Sequence, residues 1–383
     1  MEKSNRVFKI LRASIMGLIL LLTLTLGQLH QINKVFLPID AFCPFGGLES
    51  LYAVFKYGMF LQRVAWGSLI LLAATIIVSI FFRRSFCGYI CPLGTIQEFF
   101  GWGGRKIMKK RFVVPKKADR ILRYLKYVIL VLILALTYWT GQLIIRPYDP
   151  WAALHHINSV EVFQKFLIGF IILMISLIGS FFFDRFFCKY LCPMGAFLGI
   201  LSKLGIYRVK RDEDKCIDCG ICSEKCPVNI PVDELEQVKS AECISCNLCV
   251  ANCPEKGALK VTSKKGKRGV SLHAIIAIVL IIFIVLTAAT MSIGMFKISK
   301  IPNGFPTKAY SLYFGTRFID GDNSLLEVCY VYGISPDFFV NQFGFTEEDF
   351  YKPLTELPIT TEEIRELADY VVAYSKENHR CDN

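Results

Sequence analysis

Between Cys216 and Cys253 the chain places eight of its 15 cysteines in two runs of one spacing. The first is Cys216-x2-Cys219-x2-Cys222-x3-Cys226-Pro227. The second is Cys243-x2-Cys246-x2-Cys249-x3-Cys253-Pro254. Each run offers three close thiolates to one iron–sulfur cube, and the fourth cysteine of such a run ligates the other cube. The spacing therefore predicts two [4Fe–4S] clusters. Cys216, Cys219, Cys222 and Cys253 hold the first, and Cys226, Cys243, Cys246 and Cys249 hold the second. Crossed ligation confines both clusters to one small α+β domain, expected over residues 207–262. Thiolate clusters also imply a reducing compartment and exclude a secreted disulfide scaffold.

The surrounding sequence is that of a membrane protein. Hydrophobic residues make up 54% of the chain, above the usual soluble fraction. Five stretches match a hydrocarbon layer of roughly 30 Å: Ile10–Leu29, Val64–Phe82, Leu122–Leu143, Phe163–Phe183 and Leu272–Phe296. The first follows Lys3, Arg6 and Lys9 but meets no small-x-small cleavage site, so it reads as an uncleaved anchor. Between Arg83 and Arg120 there are ten Lys/Arg against two acidic residues, and Arg185–Arg268 is again basic. Basic loops stay in the cytoplasm. The N-terminus, the loop between the second and third stretches, and the cysteine runs are thus expected inside, and the loops Lys34–Arg63 and Arg146–Glu161 outside. The last 87 residues carry eight Lys/Arg and fourteen Asp/Glu, which fits a position outside. The net charge of +12 follows from this asymmetry and not from nucleic-acid binding. The expected architecture has a membrane domain of four spans over 1–206, the inserted ferredoxin-like domain, a fifth span over 270–297 and a small all-α external module over 298–383. The expected location is the prokaryotic cell membrane, crossed several times.

The membrane part contains a repeat. Phe82-Arg83-Arg84-Ser85-Phe86-Cys87-Gly88-Tyr89-Ile90-Cys91-Pro92-Leu93-Gly94 matches Phe183-Asp184-Arg185-Phe186-Phe187-Cys188-Lys189-Tyr190-Leu191-Cys192-Pro193-Met194-Gly195. Both copies follow the inner end of a span, which implies a pseudo-two-fold axis along the membrane normal. Residues four apart share a helix face, and proline disfavours helix at the residue before it. Cys87, Cys91, Cys188 and Cys192 are therefore candidates for a four-thiolate site at the inner surface. Such a site suits a further iron–sulfur cluster or a pair of redox dithiols, and the sequence leaves both open. Arg84 and Arg185, three residues before the first cysteine of each copy, suit charge compensation or surface anchoring.

Two membrane Cys-x3-Cys-Pro motifs followed by a two-cluster ferredoxin resemble the NapH-type membrane polyferredoxins. The C-terminal part of NosR and the assembly protein CcoG share the pattern. The resemblance covers residues 10–260. It implies membrane-bound electron transfer between a redox partner protein and a quinone or another acceptor. A CcoG-like role in assembly or metal reduction, or a redox sensor, are the alternatives. The chain departs from NosR in lacking a Ser-Gly-Ala-Thr flavin-attachment run, and no Cys-x-x-Cys-His marks attached haem.

Weaker features remain. Cys43-Pro44-Phe45-Gly46 looks like a partial third copy in the outer loop. With Gly47-Leu48-Glu49 it suits binding of a quinone or an acceptor's cofactor, but is rather expected as a turn packed against the first two spans. His30, His155 and His156 suit haem ligation or proton exchange with a quinol, although interfacial histidines often have neither task. His273 is expected to be structural, Cys329 to lie in a helical core and Cys381 to be incidental. In the tail, Ser324-x-x-Glu327 and Thr360-x-x-Glu363 read as capping boxes, Ser335-Pro336 as a helix start and Gly344 as a stop.

Overall fold

The computed structural model describes residues 2–32, 43–57, 66–140, 145–157, 161–164, 166–264, 269–292, 319, 324–332 and 334–378. The chain divides into two compact units. The first holds Met1–Ile32, Pro38–Glu49 and Val64–Phe296, so the cysteine runs and the apolar helices belong to one body.

Its helices are α1 (Glu2–Ile32), the start of α2 (Pro44–Tyr57) as far as Glu49, α3 (Trp66–Phe82), α4 (Ser85–Tyr89), α5 (Pro92–Met108), α6 (Lys116–Thr140), α7 (Pro150–His155), α8 (Glu161–Gln164), α9 (Leu167–Phe182), α10 (Phe186–Tyr190), α11 (Pro193–Leu201), α12 (Ile221–Glu224), α13 (Leu248–Ala251) and α14 (Leu272–Ser292). Among the described residues, three segments are long and apolar enough to cross a membrane: Ser4–Leu29, Lys116–Trp139 and Leu272–Ser292. Their outward faces are apolar, with Leu21, Val131 and Ile284 exposed by 62, 67 and 61%. Two shorter apolar helices, Gly67–Phe82 and Leu167–Phe182, stand where the second and fourth spans are expected.

The inward faces of those shorter helices carry small residues. Ser68, Thr75 and Ser79 of α3, and Ser176 and Ser180 of α9, are fully buried. Small residues let backbones approach closely, and α5 uses this by laying Gly101 and Gly104 against Ser180, Phe181 and Asp184.

The repeat is larger than its cysteine segments. Arg6-Val7-Phe8-Lys9-Ile10-Leu11-Arg12 aligns without a gap on Arg120-Ile121-Leu122-Arg123-Tyr124-Leu125-Lys126. Cys43-Pro44-Phe45-Gly46-Gly47-Leu48-Glu49 aligns on Asp149-Pro150-Trp151-Ala152-Ala153-Leu154-His155. Each half is thus a long helix, a helix begun by proline, an apolar helix, a short cysteine helix and a second helix begun by proline. Cys43 is accordingly no turn. Its carbonyl accepts from Gly47 N at 3.3 Å and α2 begins at Pro44, because proline at the first helical position is pre-organised for helix.

The cysteine runs sit between strands β1 (Tyr207–Arg211) and β2 (Leu259–Ser263), which pair antiparallel, Val209 facing Val261. A short strand β3 (Gly269–Val270) extends the sheet from β2 and leads into α14. Ile206 N donates to Ile80 O at 2.9 Å, and Phe82 stacks on Tyr207 with centroids 5.3 Å apart. The sheet therefore grows directly from the end of α3.

The second unit contains Lys297–Asn383. Its helices Leu325–Tyr332, Pro336–Phe343 and Thr361–Asn378 enclose a core that includes Leu325, Val328, Cys329, Phe339, Leu354 and Val371. Cys329 is buried there, as an apolar core position requires. Ser335 caps its helix and Gly344 ends it with φ of 72°. Thr360 and Glu363 form a reciprocal capping box. Cys381 lies outside the described residues.

Candidate metal centres

The two cysteine runs fold alike. Asp218 and Ser245, two residues after the first cysteine of each run, have φ of 49° and 48°. Gly220 and Asn247, two residues further on, have φ of 68° and 57°. Left-handed residues at matched positions curl each loop around its own cysteines, and a short helix, α12 or α13, then carries the third thiol.

Two cavities result. One is lined by Cys216, Cys219, Cys222 and Cys253 beside Gly220, Asp233 and Pro254. The other is lined by Cys226, Cys243, Cys246 and Cys249 among Val209, Val228, Ile230 and Val238. In each, the fourth thiol comes from the opposite run. Among the described residues no three His, Cys, Asp or Glu side chains converge to hold one metal ion. Four thiols around a cavity suit a body with several metal atoms instead, since a single ion needs its sulfurs within about 2.3 Å. The donor set thus fits [4Fe–4S] clusters. Burial pushes the Cys226 thiol up to about 12, so a cationic group must take the place of that proton for the sulfur to act as a ligand. The first quartet is the open one: Cys219 is exposed, whereas Cys226 and Cys246 are buried.

The Cys-x3-Cys-Pro motifs meet each other. Cys87 lies in α4 and Cys188 in α10, both buried, while Cys91 and Cys192 are the residues just before α5 and α11. Cys91 lies within electrostatic reach of Cys188, Cys87 and Cys192. Gln97 Nε2 donates to Cys188 Sγ at 3.3 Å, and Gly195 N donates to Cys192 Sγ at 3.2 Å. Such donors favour a charged sulfur. Leu93, Leu173 and Phe187 form an apolar cluster against Cys91 and Cys192.

Arg84 and Arg185 are fully buried, which removes the surface-anchoring reading. Each crosses to the other motif. A Cβ on Gly94 would lie 2.9 Å from Arg185 Nη1, and one on Gly195 would lie 2.7 Å from Arg84 Nη2. The glycine after each Cys-Pro-x therefore leaves room for the opposite guanidinium. Arg185 also donates to Cys87 O at 2.6 Å.

The cysteine-run domain is clamped onto this site by cations. Arg83 donates to the carbonyls of Val238, Lys239 and Ser240. Arg111 reaches Cys226 O and Asn229, and Arg123 reaches Val228 O at 2.8 Å. Arg12 Nε donates to Gly88 O at 3.1 Å. Gly88, between Cys87 and Cys91, is pressed against the second run: a Cβ there would meet Ile244 O at 2.6 Å and Cys246 Cα at 3.2 Å. All these contacts lie at the second quartet and none at Cys219.

Comparison with known proteins agrees with this layout. A family of 4Fe–4S binding domains matches residues 64–111 and 166–211, the two membrane motifs with their helices. A family of 4Fe–4S dicluster domains matches residues 208–254. Uncharacterised protein MJ0750 of Methanocaldococcus jannaschii is 33% identical over 208 residues, 54% of this chain and 81% of MJ0750. The ferredoxin-type protein NapH of Escherichia coli is 32% identical over 183 residues, 44% of this chain and 58% of NapH. The chain belongs to the NapH-type membrane polyferredoxin family. YccM of Escherichia coli, whose provisional description is electron transport, is 32% identical over 207 residues, 53% of this chain and 58% of YccM. The match to NapH and YccM thus spans little more than half of each relative. No solved structure matches.

At the far end of the helices this polyferredoxin buries His155 and His156. His155 packs edge-on to Trp151, centroids 4.2 Å apart, and under Gly27. His156 stacks on Phe166 at 4.5 Å. Glu49, the last residue of the Cys43 segment, is buried and accepts from Thr137 Oγ1 at 2.9 Å. His273 packs edge-on to Phe8 at 6.0 Å. The His30 side chain lies outside the described residues.

Proposed function

We propose that this chain is a membrane-bound iron–sulfur relay between a cytoplasmic redox protein and a quinone or extracytoplasmic acceptor. The observation that carries the reading is the order of the three thiol sites. The quartet containing Cys219 opens to solvent. The quartet containing Cys246 is enclosed and touches Gly88. Gly88 belongs to the segment that holds Cys87 and Cys91 at the end of α3. A bound [4Fe–4S] cluster supplies reversible one-electron storage. Around it, the cysteines hold, the backbone amides and Gln97 donate to sulfur, and the apolar neighbours exclude water. The Cys219 face is the side on which a soluble donor docks, and the four-thiolate site is the exit toward the membrane. In this reading the chain crosses the membrane five times, with α3 and α9 as the second and fourth spans, the cysteine runs in the cytoplasm and residues 298–383 outside. The Lys/Arg loop bias supports that orientation.

Iron and sulfide analysis with EPR on purified protein tests the reading. About twelve irons is the expected content, three cubes of four, against about eight if the motif cysteines are thiols only. Cys87→Ser with Cys188→Ser should stop reduction of a quinone analogue while the two ferredoxin-type EPR signals persist. Unchanged turnover in that variant would take the four-thiolate site out of the path. Copper(II) reduction without transfer to any quinone analogue would favour the metal-reducing alternative.

A further inference from the structure

The two-fold repeat is broken at one functional position, and the cysteine-run domain fills the gap. In the first half, Arg12 of α1 and Arg185 of the second motif share the carboxylate of Glu98. Arg12 is bidentate, at 2.6 and 2.8 Å, and Arg185 lies at 2.5 Å. The repeat assigns a counterpart to each member. Arg12 aligns with Lys126, Arg185 with Arg84, and Glu98, six residues after Pro92, with the residue six after Pro193. That residue is Gly199. The second half has therefore kept both cations and lost the anion. Ala241 and Glu242 approach the place it vacates. A Cβ on Gly199 would lie 3.7 Å from Ala241 O, and Glu242 accepts from Lys126 at 2.6 Å and from Arg84 at 3.4 Å.

We infer that Glu242 is a positioning residue for the four-thiolate site, standing in for the carboxylate that the repeat lacks at Gly199. It holds Arg84 across the pseudo-two-fold axis as Glu98 holds Arg185. Each guanidinium then lies over the glycine of the opposite Cys-Pro-x-Gly segment, and that of Arg84 reaches the Cys87, Cys192 and Cys188 thiols electrostatically. Arg84 and Lys126 are both buried, and buried cations need a paired anion. Docking of the cysteine-run domain therefore completes the charge set of the membrane site. The inference rests on reading Cys87, Cys91, Cys188 and Cys192 as a redox site, and it holds for a cluster or for dithiols.

The test is a redox titration of the intact protein in detergent, read at the four-thiolate site. Glu242 adjoins Cys243, so a shift in the neighbouring cluster is no measure of the effect. Glu242→Gln should favour the reduced form about tenfold, which is about 59 mV for a one-electron couple. Glu242→Asp should restore most of this. Gly199→Glu placed in the Glu242→Gln background should also move the midpoint back. The tightest neighbour of a Cβ at 199 is the Tyr127 hydroxyl, the end of a side chain, at 2.9 Å, and the next, Ala241 O at 3.7 Å, is at ordinary contact distance. In an Arg84→Gln background, Glu242→Gln should add little, because coupled residues are non-additive. Full additivity there, or no midpoint change in Glu242→Gln with the ferredoxin signals intact, overturns the inference. If Glu242→Gln fails to fold, Glu98→Gln and Arg185→Gln give the mirror cycle with the same expectations. If the protein holds about eight irons, two cubes of four, the third-cluster reading fails by itself. The same cycle is then read from alkylation of Cys91 and Cys192 against a dithiol redox buffer, where additivity again overturns the inference.

Discussion

At the scale of single residues, the contacts between the membrane site and the cysteine-run domain are made by absent side chains as much as by present ones. Gly88 and Gly94 make opposite predictions about the same segment. A Cβ on Gly88 meets backbone, Ile244 O, at 2.6 Å, whereas a Cβ on Gly94 meets first the end of the Arg185 side chain, at 2.9 Å, and backbone, Cys87 O, only at 3.3 Å. Backbone cannot step aside, so Gly88→Ala should weaken docking by about 1–3 kcal/mol, the usual cost of overpacking. Gly94→Ala should cost less, because a guanidinium can move by a few tenths of an ångström. Hydrogen exchange of the amides over 238–246 measures the difference. Faster exchange in Gly88→Ala and not in Gly94→Ala is the expected pattern, and equal rates would show that Gly88 is not a docking contact. The arginines teach the same lesson from the other side. Arg84 and Arg185 carry charge into a buried site, and each is tolerable only because a carboxylate on another element faces it.

At the scale of elements, helix ends carry much of the definition. In the second unit, Thr360 Oγ1 accepts from Glu363 N at 3.3 Å while Glu363 receives Thr360 N at 2.6 Å. Thr346 and Asp349 repeat the arrangement. Thr360→Ala should cost about 1 kcal/mol, seen as faster exchange over the first turn of helix Thr361–Asn378. Hydrogen bonds from Thr346 hold Asp349 down to about 2. A depressed carboxyl stabilises above its unfolded value near 4 and loses that contribution as pH falls toward about 2, so melting of this unit should worsen over that window and be flat above it. Such ends were legible: Ser-Pro, Thr-x-x-Glu and the Gly344 stop act within a few residues. So were the cysteine runs, whose chemistry is fixed by spacing. The Cys43 helix was not, because a proline that starts a helix and one that makes a turn look alike until the Asp149 copy is aligned beside it. The carboxylates were not either. Glu98 and Glu242 lie far apart in sequence, and nothing local marks them as equivalent partners of Arg185 and Arg84.

At the scale of the whole first unit, the three thiol sites differ in how they are covered, and that difference has a kinetic consequence. The quartet of Cys216, Cys219, Cys222 and Cys253 has one exposed thiol and an exposed neighbour, Ile217. The second quartet is closed on one side by Val209, Val228, Ile230 and Val238, and is gripped nearby by Arg83, Arg111 and Arg123. A water-soluble iron chelator should therefore act in two phases. The fast phase should remove the signal of the first cluster and leave that of the second, because reaching the second requires the arginine-held domain to lift from the helices. Opening of that kind is governed by local stability. Gly88→Ala, by weakening the grip, should speed the slow phase and leave the fast one unchanged. High salt should do little to either, since buried pairs are screened far less than exposed ones. A single phase, or a slow phase indifferent to Gly88→Ala, would mean that the second quartet is reached without undocking.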